Sequence, residues 1–508
     1  MYTYKKIYIQ YKKQYKIYLI KTIKILNSLH QTKYPKSFWE PIIGLYLRRF
    51  IINFLFFKYK IGNKQLKNKF FMNNFFVSYK EFSIYFNLQK IKKINYYTNN
   101  QKKKLVPANL KFLNLKQNFN LYGKLTIFFI NLLIFLRVTN TLLSINFFSN
   151  SQKLKFLIKT KFKFISFIIP KLKTNKYKRL DIHNNRILII QKYLNNYDDD
   201  LLKNIIYYMP INYLELFKSN IKLVNNYLLT NNFFCDGNEA NFDIIKFYIA
   251  KLKTAKKKII IGQHAARSGR EDFDIFFDYH KSISDNYVTW GIKNKFIKSI
   301  NAGTLRLHGS LKRINIKTLN FDKKKYNKIC FILCSFSSLG DVLSDNYFEN
   351  LSAENSRIEL IKILKRLTNH FYLKPRTGSF LKNKRFYKNI NFLTYDWDMK
   401  NIVGNFGIVF FERLSVGILE CLHLNQPIIF FSTKNSYQYQ NKEYKKMIKL
   451  LKLSKIYIED KNEILRIVSS EQNYLKWWNN ENNIKFRKIF IKKYAKVLEI
   501  DSLSKYIN

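Results

Sequence analysis

The chain has 508 residues, 47% of them hydrophobic, and carries 91 Lys and Arg against 33 Asp and Glu for a net charge of +58. This length exceeds one ordinary core and implies two domains or two plus an extension, and the composition excludes a disordered chain. The charge alone would suit nucleic acid or an anionic membrane, but Lys, Asn, Ile, Tyr and Phe share A/T-rich codons, so the lysine surplus reads chiefly as composition spread over solvated faces.

Residues 1 to about 60 predict helices, because Ile, Leu and Tyr recur at three- and four-residue spacing between lysines, with a break at Tyr34-Pro35. No apolar h-region or small-residue cleavage site follows Met1, so no signal peptide is expected and a cytoplasmic location is. The longest apolar run, Leu125 to Leu136, is interrupted by Asn131 and closed by Arg137. It falls short of the ~20 residues a spanning helix needs and reads as a buried helix or strand. The Lys-rich, aromatic surface suits a peripheral contact with the inner face of the cytoplasmic membrane. Cys235, Cys330, Cys334 and Cys421 form neither a zinc pattern nor a disulfide framework.

After about residue 180, short apolar runs alternate with helical patterns, the signature of βα units and parallel sheets. Arg186 to Ile190 and Lys257 to Ile261 read as buried strands. A second series comprises Ile329 to Cys334, His370 to Lys374, Ile408 to Phe411 and Pro427 to Phe431. The polar stretch 310–327 reads as the linker. The expected fold class is α/β with two Rossmann-like domains and a basic, largely helical N-terminal extension. Its divisions are 1–180 (helical and basic, on the acceptor side), 181–315 (acceptor domain), 316–470 (nucleotide-donor domain) and 471–508 (helices packing back on the N-terminal domain).

Four segments could carry chemistry. Gly262-Gln263-His264 follows a strand, where open α/β sheets bind ligands; His264 could act as a general base or donate to a phosphate, and Arg267 and Arg270 offer fork-shaped donors. The same residues could merely cap the following helix. Ser284 to Gly291 reads as a short strand and turn with Trp290 in the core, and His308 to Ser310 as a loop entering the linker, there to line an interdomain cleft with His308 and Ser310 toward the acceptor. Lys374-Pro375-Arg376 ends a strand in two cations that suit a diphosphate, although solvated charge explains them equally well. Phe411 to Pro427 turns from strand into helix: Ser415 and Gly417 sit at the helix start, where free N–H groups favour phosphate, and Glu420 could accept the hydroxyls of a ribose. Asp198 to Asp200 reads as a charge cluster before a helix rather than a metal site.

These segments resemble a family of transferases encoded in bacterial lipopolysaccharide and surface-polysaccharide loci, and more distantly GT-B enzymes. The resemblance rests on Leu26-Asn27 with His30, Trp39 and Gly44, on Gly262-Gln263-His264, on Asp285 with Thr289-Trp290-Gly291, on Ser415 to Pro427, and on Trp477-Trp478-Asn479 with Tyr494-Ala495. Ala265-Ala266 stands where the family has two glycines, and Ile292 where it has a second Trp. The resemblance implies transfer of a sugar or related group from a nucleotide-activated donor to a saccharide or lipid-linked acceptor, without a metal or other cofactor. Two alternatives stand beside it. One is a basic nucleic-acid-binding protein, for which no zinc finger, RRM-like motif or helix-turn-helix speaks, so no specific nucleic acid is expected as a partner; the other is a non-catalytic scaffold of the same fold.

Overall fold

The computed structural model describes residues 2–61, 118–119, 121–145, 150–167, 172–173, 182–195, 199–240, 242–264, 274–291, 298–304, 327–333, 358–366, 370–374, 390–393, 399–412, 414–431 and 442–498, with a few isolated positions besides. The linker 310–327 falls almost wholly outside the described residues.

Helices α1 (Tyr2–His30) and α2 (Lys36–Ile61) open the chain. In α1, Tyr8, Tyr11, Tyr15, Leu19, Thr22 and Leu26 are buried at intervals of three and four while Lys12, Lys13 and Lys16 face solvent. That stripe decides which side packs. Asn27 closes the turn between the helices: its Oδ1 accepts from Thr32 Oγ1 and Trp39 Nε1, each at 2.9 Å, and its Nδ2 donates to the Tyr34 carbonyl. His30 stacks on Phe217 with centroids 4.2 Å apart. The N-terminal Asn, His and Trp are thus architectural.

The first sheet follows. Its segments are β1 (Asn118–Phe119), α3 (Leu121–Phe135), β2 (Thr141–Ser144), α4 (Asn150–Lys159), β3 (Phe164–Ser166), β4 (Leu172–Lys173), α5 (Ile182–Leu194), α6 (Asp200–Tyr207), α7 (Phe217–Asn225), β5 (Asn232–Cys235), α8 (Asp243–Thr254), β6 (Lys258–Gly262), α9 (Ile275–Ile283), β7 (Asn286–Thr289) and β8 (Ser299–Asn301). Six strands run in the order β3-β2-β5-β6-β7-β8, parallel in register Thr141↔Asn232 and Cys235↔Ile261, while β1 and β4 form a separate antiparallel ribbon. The sheet therefore takes two strands from before residue 180, where the sequence offered few turn signals. Helix α2, buried on all sides from Phe38 to Ile52, packs on α1, α8 and α9.

Two sequence expectations are corrected here. Arg186 to Ile190 is helical, not a strand. The Arg186 guanidinium is wholly buried, paired with Glu215 and donating to the carbonyls of Ile206, Tyr207 and Met209, while Ile187 and Leu188 are exposed. Leu125 to Leu136 is helical but not buried, since its large side chains lie mostly outward. The Asp cluster behaves as expected: Asp199 caps α6, accepting from Leu202 N at 3.1 Å and from Tyr18 and Lys21 of α1.

The second sheet has strands β9 (Ile329–Ile332), β10 (Phe371–Lys374), β11 (Asn391–Phe392), β12 (Ile408–Phe411), β13 (Ile428–Phe431) and β14 (Tyr457–Ile458), in the order β11-β10-β9-β12-β13-β14 and parallel throughout. Each expected strand of this series is present. Buried from both sides, such strands read as unbroken apolar runs. Helices α10 (Val416–His423), α11 (Lys442–Leu453), α12 (Lys461–Val468), α13 (Glu471–Trp478) and α14 (Glu481–Tyr494) accompany it. The tail is anchored by its aromatics: Trp477 Nε1 donates to the Lys455 carbonyl at 2.9 Å, and the Arg487 guanidinium stacks 3.7 Å over Trp478. Beyond α14, Val497 bridges to Thr304 in parallel. The described cysteines, Cys235, Cys330 and Cys421, are buried and free.

Candidate functional site

In a doubly wound sheet the strand order reverses at one point, and the crevice outside the carboxyl ends there is where ligands bind. In the second sheet the reversal lies between β9 and β12, which pair as Ile329↔Ile408. Leaving β12, the chain passes Glu412 and reaches Ser415, the residue before α10, in extended conformation and with its side chain outside any cap hydrogen bond. The first N–H groups of α10 thus stand at the reversal point. Gly417 matters for packing, because a Cβ there would come within 3.0 Å of the Phe411 ring and 3.3 Å of the Met399 sulfur, so glycine lets α10 close onto β12. Glu420, a turn further on, is only 6% exposed. Burial and the neighbouring Glu420 carboxylate together push the Cys421 thiol upward. Lys374 is half-buried and ends β10, paired in register with Ile332 of β9. Of the five donor-side candidates, Ser415, Gly417 and Glu420 therefore lie at the start of the helix leaving the reversal or on it, Lys374 ends β10, one strand away from the reversal, and Arg376 lies outside the described residues.

In the first sheet the reversal lies between β2 and β5. Two hydrogen bonds span it, from Asp236 N to the Ser144 carbonyl and from Asn238 Nδ2 to the same oxygen at 3.0 Å. The loop Asp236-Gly237-Asn238-Glu239 turns through Gly237 at φ 92°. Glu239 is closed to solvent, its Oε1 2.8 Å from His280 Nε2 and its Oε2 accepting from Cys235 Sγ at 3.0 Å. Burial pushes this carboxyl up, but the charge and hydrogen bond of His280 and the Cys235 bond outweigh it and bring it down to about 2. Burial foremost, with Glu239 behind it, raises the Cys235 thiol well above its ordinary value. Among the described residues no group of three or more His, Cys, Asp or Glu is placed to hold a metal ion.

His264 is half-buried and follows β6, the strand beside β5. Its neighbour Gln263 is a strut: N donates to the Val288 carbonyl at 2.8 Å and Oε1 accepts from Trp290 N at 2.9 Å. Trp290 belongs to the core, as expected. Asp285 anchors the start of β6, accepting from Ile259 N at 2.7 Å and Lys253 Nζ at 3.1 Å. Of the first-sheet candidates, Arg267, Arg270, His308 and Ser310 lie outside the described residues. Asp236, Asn238, Glu239 and His280 were missed; the signal was Asp-Gly directly after the apolar run Phe233-Phe234-Cys235.

The family model described as LIC12162 family transferase matches residues 3–501. No curated protein matches the chain. Three solved structures are similar to it in fold. Anabaena Alr3699/HepE, crystallised with UDP and glucose, is 10% identical at a TM-score of 0.33, with 65% of this chain and 95% of that chain covered. The glycotransferase of kitacinnamycin is 8% identical at 0.34, covering 64% and 90%. Arabidopsis thaliana UGT89C1 with UDP is 12% identical at 0.37, covering 74% and 94%. Superpositions this loose carry no residue from those proteins to this one.

Proposed function

The chain belongs to the LIC12162 family of transferases, and from that premise we propose that it moves a glycosyl group from a nucleotide-activated donor to a surface-polysaccharide or lipopolysaccharide acceptor. The observation that carries the reading is the second sheet's strand order, with α10 beginning at the reversal point and Lys374 at the end of β10, the strand on the other side of β9. A helix N-terminus and cations suit a donor diphosphate there. In this reading Lys374 and Arg376 hold the diphosphate, Ser415 and the α10 N–H groups assist, Gly417 keeps the helix close, and Glu420 accepts from the ribose hydroxyls. Cations and a helix dipole take the part a metal plays elsewhere, so the reaction is metal-independent.

The first sheet receives the saccharide or lipid-linked acceptor. His264, with Arg267, Arg270, His308 and Ser310, is its site, and His264 either takes the proton of the attacking hydroxyl or stabilises the leaving phosphate. The reaction takes place in the cytoplasm, against the inner face of the membrane.

A panel of nucleotide sugars in a thermal-shift assay tests this. The true donor at 100 times its Kd stabilises the fold by about 2.7 kcal/mol; a panel with no stabilising member overturns the reading.

A further inference from the structure

Helix α3 shows solvent an almost unbroken apolar face. Leu121, Leu125, Phe128, Leu132 and Phe135 recur at intervals of four and three, and Phe129 lies one turn from Leu125. All six are exposed, Phe128 by 68% and Phe135 by 75%. Side chains so spaced share one side of a helix. The opposite side, Gly123, Ile127 and Ile130, is buried. An isolated exposed Leu is ordinary, but a contiguous strip of this kind marks a contact surface.

The strip is fixed outward. At the flank of the helix the half-buried Asn131 ties it to the body, Nδ2 donating to the Asn226 carbonyl at 2.6 Å and Oδ1 accepting from Leu228 N at 2.9 Å. Rolling the strip inward would break both bonds. Cations stand at either end of the helix, Lys124 in its first turns and Arg137 just past its last, both exposed.

We infer that α3 is a membrane-docking helix that lies flat in the headgroup boundary of an anionic bilayer. This deepens the inner-face reading above and rests on it for its biological sense. Fifteen residues make a helix of about 22 Å, too short to cross a hydrocarbon core of about 30 Å. No helix among the described residues is long and apolar enough to cross one. Lying flat, the helix buries its phenylalanines and leucines among acyl chains while Lys124 and Arg137 meet phosphate. Charge selects the occupant: the exposed Lys124 and Arg137 border the apolar strip at its two ends, where an anionic surface offers them phosphate.

The test is flotation of the full chain with vesicles of equal parts phosphatidylglycerol and phosphatidylethanolamine, against vesicles of phosphatidylcholine. The chain floats with the anionic vesicles and much less with the neutral ones. The double variant Phe128→Ser with Phe135→Ser, both at exposed positions, binds about tenfold more weakly or worse, with an unchanged circular dichroism spectrum. Separately, Phe128→Trp shifts its emission to the blue on adding anionic vesicles. The inference is overturned if the unaltered chain stays unbound, if the double variant floats equally well, or if the strip proves to join two copies in lipid-free solution. Stabilisation by a nucleotide sugar without vesicles is the same in the double variant, so loss of docking and failure of the transferase reading are told apart.

Discussion

Glu239 and His280 meet at 2.8 Å in the interior of the first-sheet region, one following the β5 carboxyl end and the other on α9, and both are closed to solvent. Two titratable groups so buried persist because each satisfies the other, and removing one strands its partner. Glu239→Gln, which weakens the buried hydrogen bonds to His280 and Cys235, is expected to cost roughly 1 to 3 kcal/mol at neutral pH. The Glu239 carboxyl falls from its ordinary 4.5 to about 2, so its stabilisation is complete above about pH 4.5 and disappears as pH falls toward 2. Urea unfolding of both proteins across that window should show the gap closing as pH drops; a gap constant with pH refutes the assignment.

His30 is also vulnerable to acid, at higher pH. Burial outweighs a backbone hydrogen bond to Tyr213 and holds its imidazole down to about 4. The unfolded chain therefore binds a proton between pH 6.5 and 4 that the folded chain refuses, and stability is lost as pH falls through that range. The loss approaches about 3 kcal/mol. His30→Phe keeps the stack on Phe217 and should flatten this part of the pH profile, read by unfolding midpoints from pH 7 to pH 4.

Gly291 is irreplaceable on steric grounds. Its φ is +95°, and a Cβ would stand 2.0 Å from the Lys493 carbonyl oxygen, a backbone atom that cannot swing aside. Gly291→Ala should destabilise by roughly 1 to 3 kcal/mol or more and loosen the tail after α14. Limited proteolysis near residue 495 is the measurement; an unchanged cleavage rate would contradict it.

The proposed donor and acceptor roles separate kinetically. Glu420→Gln should raise the donor Kd about ten- to a hundredfold, since a charge-assisted hydrogen bond contributes roughly 1.5 to 3 kcal/mol. His264→Ala should leave donor binding intact and abolish turnover. Calorimetry with the donor and a transfer assay are read together, and intact turnover in His264→Ala would sink the role assigned to it.

The sequence by itself determined the second sheet almost strand by strand, because Ile329 to Ile332, Ile408 to Phe411 and Ile428 to Phe431 are covered on both faces and buried parallel strands carry only apolar residues. It determined the α1 stripe and the break before Pro35 for the same local reasons of period and turn chemistry. Tertiary structure alone decided what depends on contacts between distant residues. Ile187 to Ile190 lies on a helix that Arg186 anchors to Glu215, 29 residues away. Asn27, Gln263 and Asp285 brace neighbouring segments through their hydrogen bonds, which their spacing could not show. Glu239 acquires its depressed carboxyl from His280, 41 positions on. The run Leu125 to Leu136 declared its hydrophobicity openly, but hydrophobicity does not say which solvent a helix faces. Only the packing of Ile127 and Ile130 beneath it, with Asn131 holding it in place, turned its phenylalanines outward.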